Sequence, residues 1–387
     1  MNLVSFVKQS RYIYRTYYYI ASFIVNVLKF FVKTDDRLIL FVAYGGRYFN
    51  DSPKALYEAM QNDERFQGYK LVWAFLHPEM FSMVNSKIKI TSFSYLKVAL
   101  RARCWITNVS IERGLNFKGK HVFYLQTTHT SLPKRIAWDD DNSAVPFPRG
   151  FKYKYDCVCA QSIKEKEILK AAYGLDDNNV IVSGYPKNDI LARPPKGKKV
   201  DVRKKLGIPQ NKVAILYAPT YRDMYFGEMK CPIDFKKWEK ILGSEFVVLF
   251  RAHPVVANAT EIDSSSGFIY DVSSYPENVD LMIASDILIS DYSGIFFEYA
   301  VQKKPMFCYA YDYEEYVKIR KLYFDIREKM PGGFMAEEDL LELIKTSNYD
   351  TYIPVWNKFR EDYVAEYGNA TSICLDVIDK DINVMTK

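Results

Sequence analysis

The sequence predicts an α/β protein of two doubly wound domains facing a cleft, preceded by an amphipathic helix. Three observations predict it. From Asp36 to about Leu191, short apolar β-rich runs alternate with helical stretches, the pattern of a parallel sheet with helices on both faces. A Pro/Gly/Lys-rich break at Arg193-Pro-Pro-Lys-Gly-Lys-Lys-Val200 reads as a linker. The alternation then resumes at Lys212. The 387 residues suffice for two domains of ordinary size, and the expected divisions are 1–33, 34–195 and 196–387.

Residues 1–33 form the first element. Ile13, Ile20, Phe23, Ile24, Val27, Leu28 and Phe31 fall on one helical stripe, with Lys8, Arg11, Arg15, Lys29 and Lys33 on the opposite face. Asn26 and Lys29 interrupt the apolar stretch Tyr17–Val32, so it is a poor transmembrane span. No small-residue cleavage site follows, which argues against a secretory signal. A basic amphipathic helix with aromatics fits an in-plane membrane anchor; the alternative is a helix packed on the protein's own core. Expected strands follow at Arg37–Ala43, Lys70–Phe75, Lys87–Thr91, Cys104–Asn108, His121–Gln126, Asp156–Ala160 and Val180–Ser183. Helices are expected at Pro53–Gln61, capped by Asp51 or Ser52, at Tyr95–Arg103 and at Ile163–Tyr173. After the linker, strands are expected at Lys212–Tyr217, Phe246–Phe250, Phe268–Val272, Ile287–Ser290 and Met306–Tyr309. The tail beyond Glu338 reads as helices. Both domains are thus Rossmann-like, and ligands of such sheets bind at the carboxyl ends of the strands.

Composition narrows the function. A chain 49% hydrophobic and 26% charged is globular. A net charge of +6 suits an anionic ligand or membrane surface and is too weak to imply nucleic acid. The 6 cysteines show neither metal-ligand spacing nor a disulfide framework, which points to a reducing compartment. Cys157 and Cys159, two apart in a strand, point to one face. Asp139-Asp140-Asp141 lacks partner ligands and reads as an acidic loop, so no metal is expected.

The candidate chemistry sits where apolar runs end in polar residues. Phe246–Phe250 ends in Arg251-Ala252-His253-Pro254, and an Arg with a His there suits a phosphate. Ser290-Asp291-Tyr292-Ser293-Gly294 lies between a strand and a helix, an arrangement that turns free N–H groups toward an anion. Ser293 could equally be a simple N-cap. Glu298, five residues on, is either an acceptor for a sugar diol or a solvated helix residue. Lys187, in Gly184-Tyr185-Pro186-Lys187, and Arg222, in Ala218-Pro219-Thr220-Tyr221-Arg222, are candidate phosphate contacts, although the first turn also suits a hinge. His129 follows the strand ending at Gln126 and is a candidate general base. Of the 4 histidines, His129 and His253 stand just past strand ends of opposite domains.

Together these segments resemble the CDP-glycerol glycerophosphotransferases of wall teichoic acid synthesis, which have a GT-B-like fold. The resemblance runs from about Leu40 to Tyr367. It rests on the order and spacing of Thr128-His129…Pro133-Lys134-Arg135-Ile136, Gly184-Tyr185-Pro186-Lys187-Asn188-Asp189, Tyr217-Ala218-Pro219-Thr220-Tyr221-Arg222, Phe250-Arg251-Ala252-His253-Pro254, Asp280…Ser285-Asp286, Ser290-Asp291-Tyr292-Ser293, and Tyr323-Phe324-Asp325 before Pro331-Gly332. Two departures stand out. The family usually has Gly-Thr-Pro-Leu after its first His, where this chain has Thr130-Ser131-Leu132-Pro133, and many members have a second Ser where this chain has Gly294.

The resemblance implies roles. His129 would take the proton of an acceptor hydroxyl, and His253 would contact the donor's phosphates. Arg251, Arg222, Ser293 and Gly294 would hold the diphosphate, with Glu298 and Asp291 near the ribose or ring. The implied reaction transfers a polyol phosphate, glycerol phosphate first, from a CDP-activated donor to a hydroxyl of an undecaprenyl-diphosphate-linked acceptor, releasing CMP. CDP-ribitol is the alternative donor, a nucleotide-sugar glycosyltransferase the alternative enzyme, and a catalytically silent membrane scaffold the alternative outside enzymes. The implied location is peripheral, on the cytoplasmic face of the cell membrane. The short stretch before the first sheet leans toward priming or short extension rather than polymerisation.

Overall fold

In the first strand, β1 (Asp35–Val42), successive side chains feed two different cores. Ile39 and Phe41 pack with one apolar cluster, and Leu38, Leu40 and Val42 with another. That alternation is the strand period of two with both faces covered, which is why Leu38–Val42 is apolar throughout. The computed structural model describes residues 11–129, 132–140, 153–220, 222, 231–252, 263–334 and 336–384.

The chain divides into two units. The first comprises the residues up to His129, Ile136–Lys187 and Asn369–Lys387; the second comprises Thr130–Arg135 and Asn188–Gly368. The chain therefore passes between units after His129, after Arg135, after Lys187 and after Gly368. This differs from the expected divisions. The stretch Arg193–Val200 is not the boundary, and helix formation already begins at Lys198. The tail is shared, because the C-terminal helix Ala370–Val384 places Cys374, Leu375, Ile378 and Ile382 in the core of the first unit.

The first unit contains α1 (Arg11–Lys29), β1, α2 (Asp51–Gln61), β2 (Lys70–Phe75), β3 (Lys87–Lys89), α3 (Phe93–Arg101), β4 (Ala102–Thr107), β5 (Phe123–Gln126), β6 (Cys157–Ala160), α4 (Ile163–Tyr173) and β7 (Val180–Val182). Its seven strands are parallel in the order β3-β2-β1-β4-β5-β6-β7. Leu56, Tyr57 and Met60 of α2 cover one face with the C-terminal helix, and Tyr95, Ala99 and Leu100 of α3 cover the other. Cys157 and Cys159 share one core, as their spacing predicts. Ser92 caps α3 and Ser162 caps α4 through side-chain oxygens that accept backbone N–H groups. Asp51 and Ser52 do not cap α2: the N-cap position is Asn50, and it makes no side-chain cap bond.

Helix α1 has two apolar sides. Val25 is buried in the first unit's core with Leu28 beside it. Tyr14 donates to the Gly114 carbonyl at 3.1 Å, and Asn26 to that of Asn116 at 2.7 Å. The expected stripe lies on the other side: Ile13, Ile20, Phe23, Ile24, Val27 and Phe31 are exposed, with Phe30 and Phe31 at 84% and 83%. Leu28 and Lys29 depart from the expected pattern by facing the unit, where Lys29 Nζ donates to the Lys118 carbonyl at 3.5 Å. Among the described residues no helix is long and apolar enough to cross a membrane.

The second unit contains α5 (Asp189–Ala192), α6 (Lys198–Leu206), β8 (Val213–Tyr217), α7 (Phe235–Leu242), β9 (Phe246–Phe250), β10 (Ile269–Asp271), α8 (Asn278–Ala284), β11 (Ile287–Ser290), α9 (Ile295–Tyr299), β12 (Met306–Cys308) and α10 (Tyr313–Ile319), followed by three further helices at Ile326–Lys329, Glu337–Thr346 and Ile353–Tyr363. Its five strands are parallel in the order β10-β9-β8-β11-β12. Both units are doubly wound α/β sheets, and every expected strand is present with ends moved by at most two residues.

Candidate active site

In the first unit the carboxyl ends of β1, β4 and β5 lie side by side, and each continues into polar residues. Thr127 extends the ladder by donating to the Thr107 carbonyl at 2.8 Å. Thr128 then turns into the left-handed region at φ 54, which leaves His129 exposed at the rim. Its Nδ1 lies 3.0 Å from the backbone oxygen of Asn108, the residue that follows β4. A carbonyl only accepts, so Nδ1 carries the proton and the neutral ring keeps its lone pair on Nε2. That tautomer is the one a general base needs.

Asn108 and Tyr44 were not singled out from the sequence, although the signal was there: Asn108 is a polar residue ending an apolar strand, and Tyr44 precedes Gly45-Gly46 at the end of β1. Asn108 Oδ1 accepts the Tyr44 N–H at 2.8 Å. The Tyr44 ring meets the His129 ring edge-on at 5.6 Å, and its hydroxyl donates to Asp51 Oδ2 at 2.9 Å. The same oxygen receives Lys187 Nζ at 2.9 Å, with both side chains nearly out of solvent at 9% and 5%. Burial opposes ionisation of Asp51 most strongly. The charge and hydrogen bond of Lys187, with bonds from the Ser52 amide and Tyr44, outweigh it and hold the carboxyl below its ordinary value. Lys187 is held in place by its own segment: Tyr185 is buried, and its hydroxyl donates to Glu165 Oε1 at 2.5 Å. The expected phosphate contact at Lys187 is therefore an internal ion pair of the first unit.

In the second unit the ends of β8, β9 and β11 carry the expected donor residues. Arg251 follows β9, and its Nη1 donates to the Val272 and Tyr275 carbonyls at 3.0 and 2.8 Å. Ser293 is partly exposed before α9, and its Oγ accepts the Ile295 N–H at 3.3 Å, the N-cap-like arrangement. Gly294 has φ −63 and ψ −12, a conformation open to any residue, so a Ser would fit the backbone there. Glu298 is buried rather than solvated.

Arg222 and Asp291 are corrections. Arg222 is fully buried. Its Nε lies 2.6 Å from Asp312 Oδ2, its Nη2 2.8 Å from Asp291 Oδ2, and its Nη1 donates to the Thr220 carbonyl at 2.5 Å. Asp291 Oδ1 accepts the Thr220 and Tyr292 N–H groups at 2.9 and 2.6 Å. With these partners the pair ties the loop after β8 to the turns after β11 and β12, and neither side chain faces solvent. His253 lies outside the described residues, as do Thr130, Ser131 and Asp141. No group of three or more His, Cys, Asp or Glu among the described residues could hold a metal ion.

Residues 24–374 match the family described as CDP-Glycerol:Poly(glycerophosphate) glycerophosphotransferase. A teichoic acid poly(glycerol phosphate) polymerase of Staphylococcus epidermidis is 30% identical over 374 residues, covering 89% of this chain and 51% of that protein. The chain thus spans about half the length of that relative. A teichoic acid glycerol-phosphate transferase of Staphylococcus aureus is 30% identical over 326 residues, covering 79% of this chain and 82% of that protein. Among solved structures, a variant of the wall teichoic acid polymerase TagF soaked with CDPG matches with a TM-score of 0.83 at 30% identity, covering 92% of this chain and 91% of that one. A UDP-GlcNAc 2-epimerase from Neisseria meningitidis, at 16% identity and a TM-score of 0.53 over 89% of this chain and 100% of that one, shares the fold alone. The fold is GT-B-like, and the chain belongs to the CDP-glycerol:poly(glycerophosphate) glycerophosphotransferase family.

Proposed function

We propose that this chain transfers glycerol phosphate from CDP-glycerol to a hydroxyl of a lipid-linked teichoic acid precursor and releases CMP. Family membership and relatives named as glycerol-phosphate transferases and polymerases support the reaction class. The observation that carries the mechanism is the His129 Nδ1 contact with the Asn108 carbonyl, which leaves Nε2 as the base. The acceptor oxygen attacks the phosphorus next to the glycerol and passes its proton to Nε2. The bond from that phosphorus to the bridging oxygen breaks, and the electron pair leaves with CMP. Such a transfer depends on positioning and on stabilising negative charge. Arg251, Ser293 and Gly294 are proposed to hold the diphosphate, Glu298 the ribose, and His253 to stabilise charge on the leaving side. The reading invokes no metal or cofactor.

A ribitol-phosphate donor is the second reading, because a teichoic acid ribitol-phosphate polymerase of Staphylococcus aureus is 34% identical over 187 residues, 46% of this chain. A donor screen decides. CMP release from CDP-glycerol is expected to exceed that from CDP-ribitol at least about tenfold, a difference of roughly 1.4 kcal/mol in transition-state binding. Turnover of a sugar nucleotide without turnover of either CDP-polyol would overturn both readings.

We further propose that the exposed side of α1 holds the protein on the cytoplasmic face of the membrane. Phe23 on the helix and Phe30 and Phe31 just past its end present apolar surface, and burying a Phe is worth roughly 1.5–3 kcal/mol. Replacing all three by Ser is expected to weaken co-sedimentation with anionic vesicles more than about tenfold, while CDP binding by the full chain stays unchanged. Vesicle binding equal to wild type would remove the helix from this role.

A further inference from the structure

We infer that Tyr44, Asp51 and Lys187 are positioning residues for His129, with the Asp51–Lys187 pair anchoring the Tyr44 hydroxyl. The inference rests on His129 as the proton acceptor proposed above. Four observations carry it. The Tyr44 ring packs edge-on against that of His129 at 5.6 Å. Tyr44 is itself held at both ends, by Asn108 Oδ1 at its N–H and by Asp51 Oδ2 at its hydroxyl. Asn108 serves both residues, giving its backbone oxygen to His129 and its side chain to Tyr44. Finally, Tyr44, Asp51 and Thr128 all have left-handed backbones, at φ 46, 63 and 54. Such conformations persist only where surrounding contacts enforce them, and they gather at functional sites. Two of the three stand at the ends of the connection from β1 to α2, and the third directly precedes His129.

The test compares kcat and donor KM of Tyr44→Phe, Asp51→Asn and Lys187→Met in the full chain. Each is expected to lower kcat at unchanged donor KM, Tyr44→Phe about fivefold through looser positioning. Tyr44→Phe leaves the ion pair whole and covers the case in which a charge variant fails to fold; an unchanged kcat in it overturns the inference. If Lys187→Met instead raises the donor KM, Lys187 contacts the donor and the inference is again overturned. Full activity in His129→Gln would remove the proposed base itself, the reading on which the inference rests.

Discussion

His129→Ala is expected to lower the rate of CMP release from CDP-glycerol about 100- to 10,000-fold, the usual contribution of a positioned general base. The geometry gives three reasons. The ring is exposed at the end of β5, its tautomer is set by the Asn108 carbonyl, and Tyr44 limits its rotation from the side. Loss of the base alone should act on the chemical step. CDP should still shift the melting temperature of the variant as it does that of wild type, and the loss should appear in kcat. His253→Ala is expected to be impaired too, and wild-type-like rates in both variants would sink the mechanism. A chain that neither turns over nor binds CDP, with or without the substitution, would be the membrane scaffold instead.

Much of the fold was legible because parallel strands buried on both faces are short, nearly continuous apolar runs. Phe246–Phe250 carries that signal to its last residue, and Ile287–Ser290 carries it as far as Ile289. The C-terminal helix shows where this stops. Its period tells which side is apolar, as at Cys374, Ile378 and Ile382, but not which sheet receives it. The site divides the same way. His129 could be found because a strand end puts a polar residue where ligands bind, and Asn108 meets the same criterion. Lys187 and Arg222 stood at strand ends too, yet their partners are distant in sequence: Asp51 is 136 residues from Lys187, and Asp312 is 90 from Arg222. A cation beside a turn looks alike whether its anion is a substrate or a buried carboxylate. Only the fold distinguishes them.

That distinction makes Arg222 the position with the largest expected effect on stability. Arg222→Met would leave Asp291 and Asp312 in the interior, with side chains 3% and 7% exposed, without their cation. Breaking a buried pair this way costs about 3–5 kcal/mol, and here one residue serves two carboxylates. The guanidinium also lies over the rings of Tyr292, Tyr311 and Tyr316 at 4.9, 5.3 and 5.2 Å, and Tyr292 stacks on Tyr316 at 3.7 Å. The melting transition of the second unit should therefore fall by roughly 10 °C. Arg222→Lys should recover little, because one ammonium cannot reproduce a planar fork bonded to two carboxylates and a carbonyl. Adding Asp291→Asn and Asp312→Asn to Arg222→Met removes the unpaired charges and should restore part of the loss, while CMP release stays low only if the loops these residues tie together also shape the donor site. A single Arg222→Met variant as stable as wild type would show that the cluster is not the strut described, and would return Arg222 to the donor phosphates.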